Sequence, residues 1–96
     1  MSLRWWRMGV IMERDGEPWT WTLHVRANTE ASARRLVDKR VADEFPDVKR
    51  SAIHLCHPSD PLLRVAPKEE IIVTYGPYRR AWSDPVVAGL RNVLDA

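Results

Sequence analysis

Apolar and polar residues alternate from Arg4 to Glu13. Trp6, Met8, Val10 and Met12 fall on one side, and Trp5, Arg7, Gly9 and Glu13 on the other, with Ile11 the one aliphatic residue out of step. A period of two is the signature of a strand with one buried face. Asp15-Gly16 then predicts a hairpin turn, because glycine enters positive φ without a Cβ clash, and Pro18 beyond it points to a turn longer than two residues. The second strand alternates most cleanly. Trp19, Trp21, Leu23, Val25 and Ala27 are apolar, and Thr20, Thr22, His24 and Arg26 separate them.

After Ala27 the period changes. Asn28 or Thr29 can cap a helix, accepting an orphan amide of its first turn. From Ala33 the apolar positions Leu36, Val37, Val41 and Phe45 recur at spacings of three and four. Opposite charges at i,i+4 (Glu30/Arg34, Arg34/Asp38, Lys39/Asp43, Arg40/Glu44) line the outer face. Pro46 ends the helix by disfavouring helical geometry in the residue before it. Val48 to His57 predicts a third strand. Pro58, Pro61 and Pro67 mark a loop whose Leu62, Leu63 and Val65 are expected to tuck onto the domain. Glu70 to Tyr75 predicts a fourth strand, and Gly76-Pro77 a turn after it. Asp84 followed by Pro85 is a helix start, and Val86, Leu90 and Val93, with Val87 and Leu94 beside them, give a short amphipathic helix.

The order β-β-α-β-β-α predicts an α+β fold: a single, mostly antiparallel sheet with one long helix packed on one face and a short C-terminal helix. The second face of the sheet is left for the C-terminal helix, the long loop or a second copy of the chain to cover. Residues 1–96 read as one small domain, since two cores do not fit in that length. Met1-Ser2-Leu3 is compatible with a cloning scar.

Composition adds exclusions. Net charge is +2, so the total alone makes no demand for an acidic partner. One cysteine, Cys56, rules out an internal disulfide and any zinc site with two cysteine ligands from one chain. No apolar run approaches the roughly 20 residues of a membrane span, and Arg4 interrupts any signal-peptide core. A cytoplasmic protein without membrane attachment or cofactor is expected.

Three constellations could carry chemistry. His54, Cys56, His57 and Asp60 concentrate nucleophile and metal-ligand types. On a regular strand His54 and Cys56 would point the same way and His57 the other, which leaves a metal without a second arm of ligands and a Cys–His pair with only Asp60 or the distant His24 to orient the histidine. These residues therefore read as structural, and no metal site is assigned. Two patches combine arginine with aromatics: Arg4-Trp5-Trp6-Arg7, and Tyr75 to Trp82 with Arg79 and Arg80. Trp6 fits the buried period; Trp5 and Trp82 do not. The leading expectation is a non-enzymatic interaction module that self-associates through a sheet face rimmed by aromatics and arginines, using Trp5, Arg7, Tyr75, Tyr78, Arg79 and Trp82. Its partner is a second copy or another protein. The alternative is a single-stranded nucleic-acid-binding module using Arg4, Trp5, Arg7, Arg26, Tyr78, Arg79 and Arg80. The third reading is a small metal or Cys/His site around residues 54–60, with His54, Cys56 and His57 as its candidates.

Overall fold

A computed structural model of the chain describes residues 3–59 and 68–96. Six elements follow in the expected order: β1 Arg4–Arg14, β2 Glu17–Ala27, α1 Glu30–Glu44, β3 Arg50–Pro58, β4 Glu70–Arg79 and α2 Pro85–Asp95. Among the described residues the four strands form one antiparallel sheet in the order β3-β1-β2-β4. β2 and β3 are therefore parallel, with β1 between them and α1 as the connection. Asp60 and the loop residues Leu62, Leu63 and Val65, assigned roles from the sequence, lie outside the described residues.

The β1–β2 turn corrects the first expectation. Arg14 pairs with Glu17 and Glu13 with Pro18, so only Asp15 and Gly16 form the loop, both at positive φ (52° and 75°). That is the twist a two-residue hairpin favours. Pro18 is tolerated because its backbone polar side faces away from β1. Its carbonyl accepts a bond from the Arg80 amide at 2.7 Å, and carbonyl and nitrogen of one strand residue point the same way.

On the first face of the sheet, Trp6, Met8, Val10, Met12, Trp21, Leu23, Val25 and Ala27 pack against Ala33, Val37 and Val41 of α1. Thr29 is the N-cap, its hydroxyl accepting from the Ser32 amide at 3.1 Å. Trp19 is only half-buried, covered by the Arg14 guanidinium 4.8 Å from its ring centre.

The second face is covered at one end by α2. Ile11, the residue out of step in the β1 pattern, is buried there with Val87 and Leu94, and Ala52, Trp82 and Leu90 pack around them. Val86, expected in the apolar stripe of this helix, faces outward instead. Arg50 ties the C-terminal end of α2 to the sheet. It donates to Glu13 at 2.6 Å and also binds the Asp95 carboxylate, placing a cation where the helix dipole is negative. At the other end Trp82 donates from Nε1 to the Gly16 carbonyl at 2.8 Å while Arg91 lies over its ring.

The expected turn at Gly76-Pro77 does not occur; β4 runs through it to Arg79. Gly76 adopts φ +103°, which only glycine enters without strain, and the register against β2 shifts on both sides of Thr22. Pro77 lacks an amide hydrogen, which an edge strand can do without.

Candidate functional site

Strand register assembles a polar row on the part of the second face that α2 leaves open. Arg7 pairs with His24 of β2 and with His57 of β3. Neighbouring strands lie about 4.8 Å apart, so the three side chains stand side by side. The next row holds Gly9, Thr22 and Tyr75. Between Gly9 and Val10 the β3 pairing skips one residue, leaving His54 unpaired in a bulge. Its imidazole then lies over Gly9, where an added Cβ would come within 2.7 Å of Cε1. Glycine at this position makes room for the ring.

These rows floor a shallow groove of about 680 Å³ lined by Arg7, Thr22, His24, His57, Ser59 and Tyr75. Past Thr22 and Tyr75 it meets a smaller cleft of about 240 Å³ under α2, walled by Trp21, His54, Arg80, Val86 and Leu90. Among the described residues no carboxylate lines either part. Glu70 lies one row further out, opposite Arg26.

Burial holds the His24 imidazole below the 6.5 of a free histidine, and the nearby Arg7 and His57 lower it further. Burial does the same to His54. Both rings resist protonation in the folded chain, so as pH falls below about 6.5 the unfolded chain takes up these protons first and stability is lost. The urea midpoint should be lower at about pH 5.5 than at about pH 7.5, and H54Q should reduce the difference. An unchanged pH dependence in H54Q would remove His54 as a cause.

The His54–Cys56–His57 constellation is divided by the bulge. Cys56 pairs with Met8 and packs against the core under α1, whereas His54 and His57 lie on the second face. Burial pushes the Cys56 thiol up, away from the thiolate that a nucleophile or metal ligand requires. Among the described residues no three His, Cys, Asp or Glu side chains gather closely enough for a metal ion.

The arginine–aromatic patches are also rearranged. Trp5 was expected at an exposed rim, yet it is 3% exposed, with the Arg26 guanidinium 5.8 Å from its ring centre. Trp82 clamps α2 to the hairpin, as its bond to Gly16 shows. Arg4 covers Trp6 at 5.3 Å, Arg79 reaches Glu17 at 3.4 Å, and Arg80 donates to the Thr20 hydroxyl at 3.0 Å. Arg4, Trp5 and Arg26 belong to one end of the sheet and Arg79 and Arg80 to the hairpin end, about 20 Å away by strand rise. Tyr75 and Tyr78 remain available, 56% and 47% exposed, with ring centres 4.6 Å apart.

Sequence reasoning missed His24, Thr22 and Ser59 as groove residues. The available signal was the polar alternation of β2, which locates His24 beside Arg7 once the turn is known to be two residues long.

No helix among the described residues is long and apolar enough to cross a membrane. No family model matches the chain, and neither a curated protein nor a solved structure is similar to it.

Proposed function

We propose that the protein is a non-enzymatic interaction module that pairs with a second copy of itself through the tyrosine-bearing part of the second sheet face. One observation carries this reading. Among the described residues the exposed large hydrophobics are Tyr75, Tyr78 and Val86, the last 68% exposed. The two tyrosine rings touch edge to face, and Tyr75 and Val86 wall the same cleft. Clustered apolar surface of this kind is a mark of association, and tyrosine with arginine is enriched where binding energy concentrates.

The rim suits an isologous dimer. Arg79 and Arg80 stand beside Glu17 and Asp84 around the neighbouring pocket, so a two-fold axis can bring the basic residues of one copy to the acidic residues of the other. Light scattering at high micromolar concentration should report a dimer. Combined Y75S and Y78S substitution should shift it to monomer with the far-ultraviolet circular dichroism unchanged. A strict monomer for the natural sequence would sink the proposal.

The single-stranded nucleic-acid reading keeps one support, the exposed tyrosines beside Arg80 and a groove lined by no described carboxylate. It loses Trp5 as a stacking platform. Phosphate neutralisation makes such binding fall steeply with salt, so oligonucleotide binding indifferent to salt excludes it.

A further inference from the structure

We propose that the groove on the second sheet face is an oxyanion site, in which Arg7, flanked by His24 and His57 and assisted by the Thr22 and Ser59 hydroxyls, binds the phosphate group of a small phosphate monoester. This inference does not rest on the dimer, although Tyr75 borders both surfaces.

Four observations converge on it. Register alone gathers Arg7, His24 and His57 into one row across β2, β1 and β3. Arg7 is exposed and has no hydrogen-bond or ion-pair partner among the described residues, while the other β1 arginines, Arg4 and Arg14, each lie over an aromatic ring. No described carboxylate lines the groove to neutralise it, although Glu70 and Glu13 hold other rows of this face beside Arg26 and Arg50. The space above the row is open and large enough for a small molecule.

The donors decide the chemistry. A guanidinium offers a planar fork of N–H groups, and the two imidazoles and two hydroxyls add donors around it. A carboxylate has two oxygens and leaves part of this set unused. A phosphate monoester presents three terminal oxygens and close to two negative charges, and so engages more of the set. His57 Nδ1 is 3.0 Å from the Pro58 carbonyl, which favours the proton on that nitrogen; Nε2 then donates to an anion only when the ring is the imidazolium, the form in which His57 assists. The His24 Nδ1 is buried without a partner among the described residues. Arg7 and His57 both disfavour a charged His24, and an anion seated between them reverses that repulsion. Arg26, one row further along β2, faces Glu70, and Arg80 with His54 closes the α2 end, so the other charged and titratable neighbours on these elements leave the row cationic.

The test is titration with inorganic phosphate at low ionic strength, followed by the imidazole resonances in NMR. Saturable shifts at His24 and His57 are expected, together with a rise in the His24 pKa. R7Q should weaken binding by about tenfold or more, the scale of losing one charge-assisted pair, and S59A by less. R35Q, on the outer face of α1, should bind as the natural protein does. Sodium acetate at matched ionic strength should produce no saturable shift. Absence of saturation with phosphate, unchanged affinity in R7Q with its fold intact, or equal shifts with acetate would each overturn the proposal. Displacement of phosphate by an oligonucleotide without terminal phosphates would overturn the monoester assignment.

Discussion

Replacing Trp21 by alanine should destabilise the domain by about 3–5 kcal/mol, the usual loss for truncating a buried tryptophan. Trp21 is 2% exposed and lies between the Val10 strand and the C-terminal end of α1, its ring meeting Phe45 edge to face at 5.2 Å. Phe45 in turn carries the Arg14 guanidinium, 4.7 Å from its centre, and Arg14 reaches Asp47 at 3.2 Å. Removing the indole therefore leaves a cavity and loosens the stack that closes this end of the core. Domains of this size hold about 5–15 kcal/mol in total, so the variant should lose roughly 15 °C or more in Tm. The Trp21 Nε1 has no acceptor among the described residues, so the ring holds by packing, and W21F should recover most of the loss. A W21A loss below about 1 kcal/mol in urea unfolding would contradict this account of the core.

Gly76→Ala should be the most damaging small substitution, at about 2–4 kcal/mol. The residue sits at φ +103°, and an added Cβ would lie 2.6 Å from the Thr20 carbonyl oxygen and 3.1 Å from the Tyr78 amide nitrogen. Both are backbone atoms, so relief requires β4 to move away from β2. The same strain would displace Tyr75 and Tyr78, coupling stability to the proposed dimer surface. Gly89→Ala is the control: it lies within α2, and beyond the helix's own backbone no described residue comes within 4 Å of the new Cβ, while alanine favours helix. Calorimetry should show G76A melting well below the natural sequence and G89A at or above it. Equal melting of G76A and the natural protein would show that the edge strand accommodates a side chain there.

Most of the architecture was legible because each element has its own period. The β2 alternation, the α1 stripe and the Asp84-Pro85 start all depend on neighbours within about one turn or one pleat, and the structure has each in place. The candidate site was less legible, since it depends on which residues face each other across strands. A two-residue turn instead of a longer one sets the pairing of Arg7 with His24. One bulge in β3 separates Cys56 from His54. A single inserted residue reverses every side chain beyond it, and nothing local in Ile53-His54-Leu55 announces it.

The sequence by itself determined the order of elements, their caps and the apolar face of the first core, because backbone sterics and hydrophobic periodicity act over a few residues. Ile11 stood out of step with its neighbours in the sequence, but only its burial with Val87 and Leu94 links it to the second helix. Only the tertiary structure decided which tryptophans are covered, where α2 ends on the sheet and which polar side chains meet. Trp5 and Ile11 share the same alternation face of β1 with Arg7, yet Trp5 and Ile11 are buried and Arg7 is exposed. The physical reason is that burial on a sheet's second face is set by what packs over it, and strand periodicity is blind to that.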